Sequence, residues 1–280
     1  MNNLKKCVFP EDLNAALAAL SDRKASPFAL AGGTLSGKNI SPDTAALVDL
    51  KRLPLSAIKV TASGLSIGAL ATFDEIDNSR AVKGWAGGVL CAAAAKCSSQ
   101  LVRNMATIGG NIARPNAFNV FPPLLLALDA KVKVVWKGGS KTLPFAALYD
   151  GTLKRTPGRD CLITEVLLPA SSKGLRCSFE KFARTESSWE SYITLAMCAE
   201  VRKGVIKSAR IGVGAVSAVP ALASKAAAAM IGENPGDSAG STAAAALAGD
   251  LAGMRISPKS VEFKKEVAAA LIRRFVASLA

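Results

Sequence analysis

A chain of 280 residues that is 50% hydrophobic can bury a substantial core and build one to three domains. It contains no histidine, which removes the commonest general base, the usual serine-type triad and histidine metal sites, and turns attention to a bound cofactor. The net charge of +14 is spread evenly, 17 Lys+Arg against 10 Asp+Glu in residues 1–150 and 18 against 11 beyond; without basic runs interleaved with aromatics, nucleic acid is not an expected partner.

In chain order, Pro10-Glu11-Asp12 starts a helix with Leu13, Leu17 and Leu20 on one face. Phe28-Ala29-Leu30-Ala31 reads as a short buried strand running into a glycine turn, Ala31-Gly32-Gly33-Thr34. Ala45 to Leu50 is a second strand, and Leu53-Pro54-Leu55 a break between lobes. Ile58–Val60 and Leu65–Ala69 are strands joined by a turn at Ala62-Ser63-Gly64. Thr72 to Glu75 is a capping box, and a further helix is expected from Ala86 to Ser98.

A second glycine turn follows at Thr107-Ile108-Gly109-Gly110-Asn111, then a buried apolar helix from Pro122 to Asp129 and a strand at 131–136. Lys137 to Ser140 reads as a hairpin turn, Leu143 to Tyr149 as helix, and Leu162 to Leu168 as a strand closed by Pro169. Residues 170–174 mark a boundary. Beyond it, Leu175–Ala183, Ile193–Val201 and Val205–Ser217 carry strand- or helix-like patterns. Helices are expected at Pro220–Met230, Ser241–Leu251 and Ser260–Leu279, with residues 232–242 an exposed loop.

Two motif matches fail on their chemistry. Gly32 to Asn39 approaches a phosphate-binding P-loop, but Asn39 stands where a hydroxyl should bind magnesium, and Pro42 obstructs the helix the loop must open. Gly212-Val213-Gly214 lacks the third glycine of a dinucleotide fingerprint and sits inside an apolar stretch. The six cysteines, at 7, 91, 97, 161, 177 and 198, include no Cys-x-x-Cys pair, so they read as buried thiols in a reducing compartment. No segment has the apolar length of a signal peptide core or of a membrane span, so a cytoplasmic protein is expected.

The two accepted turns share a physical logic. A dinucleotide diphosphate carries two negative charges and needs backbone N–H donors with little steric bulk nearby. Ala31-Gly32-Gly33-Thr34, then Arg103-Asn104-Met105-Ala106-Thr107-Ile108-Gly109-Gly110-Asn111-Ile112 with Leu125-Leu126-Ala127-Leu128-Asp129-Ala130 downstream, resembles the FAD-binding medium subunit of molybdenum hydroxylases, the xanthine and carbon monoxide dehydrogenase type. Leu47–Leu50, Gly64–Ala69, Leu162–Val166 and Phe179–Arg184 continue the likeness in order.

The resemblance implies an α+β fold of the vanillyl-alcohol-oxidase/PCMH type, with FAD-binding lobes at 1–54 and 55–171 and a C-terminal α+β domain at 172–280. It places Ala31, Gly32, Gly33, Thr34, Leu35, Ser36, Thr107, Ile108, Gly109, Gly110 and Asn111 around the FAD phosphates and ribityl chain. Leu162 and Lys181 would lie near the flavin or adenine. An ungapped match puts Val120 where many members carry an acid that bonds the cofactor, with Asn116 and Asn119 nearby. The implied partners are a small [2Fe–2S] subunit and a large molybdopterin subunit, with NAD+ or another acceptor taking the electrons. A stand-alone flavoprotein, or a scaffold subunit without FAD, remain the alternative readings.

Overall fold

A computed structural model of the chain describes residues 3–34, 40–114, 116–150, 160–252 and 261–280. Strands β1 (Lys6–Val8), β2 (Pro27–Leu30) and β3 (Ala46–Asp49) form a parallel sheet in the order β1-β3-β2. Helix α1 (Leu13–Leu20) starts where the sequence places it, because the Asp12 carboxylate accepts from Ala15 N–H at 2.8 Å. Its Ala16, Leu17 and Leu20 are buried with Val48, Leu50 and Leu53.

The second sheet has five strands in the order β4-β5-β8-β6-β7: β4 (Ile58–Thr61), β5 (Gly64–Gly68), β6 (Lys131–Trp136), β7 (Gly139–Pro144) and β8 (Cys161–Pro169). One face of β8 turns toward the first sheet, since Leu162 joins the cluster around α1. Between β5 and β6 lie short helices α2 (Phe73–Asn78), α3 (Arg80–Lys83), α4 (Val89–Ala95), α5 (Gln100–Arg103), α6 (Ile108–Ile112) and α7 (Phe121–Ala127). The capping box holds: Thr72 Oγ1 accepts from Glu75 N–H, and the Glu75 carboxylate accepts from Thr72 N–H at 2.7 Å. Every residue of α7 is buried, against α4, α6 and the third sheet.

That sheet is antiparallel in the order β12-β11-β10-β9, from β9 (Arg176–Ala183), β10 (Ser191–Arg202), β11 (Val205–Gly214) and β12 (Ala221–Leu222). Its other face is covered by α8 (Ser224–Ala228), α9 (Asp237–Leu251) and α10 (Val261–Ala277) around Ile193, Leu195, Met197, Ile211 and Phe275. The contact between α7 and β11 is close: a Cβ on Gly212 would fall 1.9 Å from the Pro123 carbonyl oxygen.

Five sequence expectations need correction. Thr107–Asn111 is not a free turn but the start of α6, because Thr107 Oγ1 accepts from Gly110 N–H and caps a helix. Leu143 lies inside β7 rather than opening a helix, since β7 pairs along its length with β6 and only Phe145–Leu148 make a 3-10 turn. The helix expected from Ala86 to Ser98 shrinks to α4 plus a 3-10 turn, broken by Gly87 and Gly88 at φ 64° and 74°. The Pro220–Met230 helix is a two-residue strand followed by α8. The 232–242 loop ends early, because α9 begins at Asp237.

Candidate functional site

The two glycine segments meet. A Cβ on Gly32 would lie 1.9 Å from the carbonyl oxygen of Met105, and Gly33 has φ 71°, so both positions exclude ordinary side chains. The segment after β5 is laced to the start of α6. Phe73 N–H donates to Ala106 O (2.9 Å), Ile108 N–H to Ala71 O (3.0 Å) and Gly109 N–H to Ala69 O (2.8 Å). Gly109 is required for that approach, because a Cβ would sit 2.6 Å from Ala69 O.

This lacing changes the chemistry expected of the second segment. The N–H groups of Ile108, Gly109, Gly110 and Asn111 all donate within the protein. They offer a ligand a surface free of side chains, not free donors. On the first turn, by contrast, the N–H groups of Gly32 and Thr34 donate to no acceptor among the described residues. Donors for an anion therefore come from the first turn.

Between the segments opens a cleft of approximately 540 Å³, within the range of small-molecule sites. It is lined by Ala31, Gly32, Gly33, Thr34, Thr107, Gly109, Gly110, Asn111 and Leu162. Apolar walls come from Leu30, Leu50, Leu70, Leu148 and Ile163. Ile108 instead faces the core with no exposed surface. Leu35 and Ser36 fall outside the described residues. Gly32 and Thr107 also border a smaller neighbouring hollow of approximately 320 Å³ that includes Lys51 and Asn104.

Lys181 is not among the lining residues of either space. Its ammonium donates to the carbonyls of Lys96 (3.0 Å) and Ser188 (2.5 Å), tying the β9–β10 connection to the end of α4. Burial pulls its pKa below the ordinary lysine value.

Two lining residues, Phe28 and Arg114, had no sequence signal of their own, whereas Asn116 and Asn119 were expected near the cofactor. The Arg114 guanidinium lies 5.2 Å over the ring of Phe28, joining the two walls by a cation–π contact. Asn116 and Asn119 lie beyond α6, in a short stretch closed by Phe118 N–H donating to Asn116 Oδ1 (2.9 Å). Phe118 meets Trp189 edge-on at 5.3 Å, and Ala215 N–H donates to Ala117 O at 2.8 Å. The third sheet thus braces the cleft wall.

Asn119 is only 4% exposed. Its Nδ2 donates to the carbonyls of Asn111 and Arg114, while Oδ1 is buried without a partner. An orphaned buried acceptor costs about 1–3 kcal/mol unless a ligand supplies a donor. Val120, by contrast, is 2% exposed and packs in the core with Phe121 and Leu124, so it does not take the place of a cofactor-binding acid.

The cleft therefore suits a dinucleotide: amides without an acceptor among the described residues and glycine corners on one wall, an unmet acceptor on the other, and apolar surface between. Among the described residues no cluster of three or more Cys, Asp or Glu could hold a metal, and no helix is long and apolar enough to cross a membrane.

Comparison with known proteins agrees. Residues 3–171 match the family described as FAD binding domain in molybdopterin dehydrogenase, and residues 178–279 match the CO dehydrogenase flavoprotein C-terminal domain. The carbon monoxide dehydrogenase medium chain of Hydrogenophaga pseudoflava is 29% identical over 201 residues, 69% of this chain and 67% of that one. The nicotinate dehydrogenase FAD-subunit of Eubacterium barkeri is 29% identical over 202 residues, again 69% and 67%. A solved structure of carbon monoxide dehydrogenase from H. pseudoflava, lacking the Mo-pyranopterin moiety of its molybdenum cofactor, superposes with a TM-score of 0.86. That match has 25% identity and covers 97% of this chain and 95% of the other.

Fold and site together define an α+β flavoprotein of the PCMH type. The chain belongs to the family of FAD-binding medium subunits of molybdenum hydroxylases, and it is an oxidoreductase subunit whose cofactor is FAD.

Proposed function

We propose that this chain is the electron-transfer subunit of a molybdenum hydroxylase, receiving electrons from [2Fe–2S] clusters on a small partner subunit and passing them to NAD+ or another acceptor. A large molybdopterin subunit would oxidise the substrate. Bound FAD supplies the redox chemistry that links carriers of different electron number, and the chain's own residues position it. Ala31 to Thr34 would face the diphosphate, Thr107 and Gly109 to Asn111 the ribityl side, and Leu162 an apolar part of the ring system. The lobes bounding the site would be residues 1–54 and 55–171, with 172–280 covering it. Six free cysteines are consistent with a cytoplasmic setting.

The observation that carries this reading is the convergence of Gly32, Gly33, Thr107 and Gly109 on one cleft, with no acceptor for the Gly32 and Thr34 amides among the described residues. Native purification tests it. The protein is expected to be yellow and to arrive with an iron–sulfur subunit and a molybdopterin subunit. A yellow chain that purifies alone and is active alone would defeat the complex; a colourless chain that takes up no FAD would defeat the redox role.

A further inference from the structure

Among the described residues, two buried side-chain polar atoms lack a hydrogen-bond partner, Asn119 Oδ1 and Arg210 Nε. Arg210 satisfies its other nitrogens on Leu126 O and Asp129, away from the cleft. Asn119 lines the cleft itself.

The orientation of the Asn119 amide follows from its neighbours. Its nitrogen contacts the carbonyl oxygens of Asn111 and Arg114, which only accept. Turning the amide over would set oxygen against oxygen. The main chain around it is equally held: Asn119 N–H donates to Asn116 O at 3.2 Å, and Ala117 O accepts from Ala215 N–H at 2.8 Å. Oδ1 is thus an acceptor held on a residue of the cleft wall, without a donor among the described residues.

A donor must come from the ligand. Phosphate oxygens cannot provide it, whereas hydroxyl groups and ring N–H groups can. The opposite polarity holds at Gly32 and Thr34, whose amides meet no acceptor among the described residues and suit the diphosphate. We propose that Asn119 is a cofactor-binding residue that accepts a hydrogen bond from a hydroxyl or N–H group of FAD, as a neutral amide. This rests on the cleft holding FAD. A neutral acceptor adds no negative charge to a site that already receives two from the diphosphate, and its bond does not titrate through the carboxylate range.

The test is a titration of the flavin-stripped full chain with FAD, followed by flavin fluorescence, for wild type, Asn119→Ala and Asn119→Ser. Serine keeps a hydroxyl near the carbonyls but is too short to present an acceptor at the position of Oδ1. Both variants are expected to weaken FAD binding by about tenfold, with far-UV circular dichroism unchanged. Variants that fold and bind within about twofold of wild type would overturn the proposal. Wild-type protein that binds no FAD would instead overturn the function it rests on. Should neither variant fold, wild type labelled with 13Cγ-asparagine serves: FAD is expected to move the Asn119 carboxamide signal downfield, and an unmoved signal would overturn the proposal.

Discussion

Gly32 and Met105 touch through backbone alone: the hydrogen of one stands where a methyl group would lie 1.9 Å from the carbonyl oxygen of the other. This contact, between the turn after β2 and the approach to α6, sets the width of the cleft. Gly32→Ala has no flexible side chain to push aside, so it must part the two walls. A loss of about 3 kcal/mol or more is expected, a fall of roughly 5–10 °C in Tm, together with loss of FAD binding. Gly174→Ala is the control, because its Cβ would meet nothing within 4 Å at an exposed position away from the cleft. Equal damage from both changes would refute the steric account.

Trp189 is expected to act on FAD affinity through Phe118, whose neighbours Asn116 and Asn119 line the cleft. Edge-on aromatic pairs contribute about 0.5–1.5 kcal/mol. Trp189→Ala should therefore weaken FAD binding by roughly two- to tenfold. An unchanged dissociation constant would show that the wall stands without this brace.

Lys181 should behave as a fastener of the β9–β10 connection. Lys181→Met withdraws donors from the carbonyls of Lys96 and Ser188 and should cost about 1–2 kcal/mol of stability. FAD affinity should stay within about threefold of wild type, since half a kcal/mol is the scale of an indirect effect. A much larger loss of affinity with unaltered stability would mean that the lysine reaches the cofactor.

Alkaline pH should weaken the fold. Burial pushes the Cys97 thiol from 9.0 up to about 11, against the pull of Lys181 and Arg103. The folded chain holds this proton after the unfolded chain has lost it. Stability present below pH 9 is therefore lost as pH rises toward 11. Buried Cys91 and Cys198 and half-buried Cys161 are raised too and act in the same direction. Lys181 opposes them, because its lowered pKa makes the folded state lose a proton first. The net expectation is a falling urea midpoint above pH 9, less steep in Cys97→Ala; a midpoint that rises there would reverse the sign.

Much of this was legible from local chemistry. Asp12, Thr72 and Glu75 announce their helices because a cap is a short-range bond, and the α7 run is apolar on every side because it is buried on every side. Thr107 carried the same capping signal, but the two glycines after it read as a turn. The bareness of Gly109 is explained by Ala69, forty residues upstream, which no local pattern exposes. The same holds for the cleft. Gly32 and Gly109 were recognisable by spacing and flanks, and Asn119 by its place in the resemblance, whereas Phe28, Arg114 and Leu148 join them only through sheet register and the packing of α6. Lys181 sits in a family-like stretch, yet its reach was decided by the carbonyls of Lys96 and Ser188.

The bracing of Ala117 by Ala215, and of Phe118 by Trp189, carries a consequence for dissection of the protein. A fragment stopped at residue 171 would keep every glycine of the cleft and both of its apolar walls. It would still lack two bolts that seat the floor beneath the cofactor, and so would grip flavin more loosely than the intact chain. Supplying residues 172–280 as a separate piece should restore the grip, even though none of the described residues among them lines the cleft.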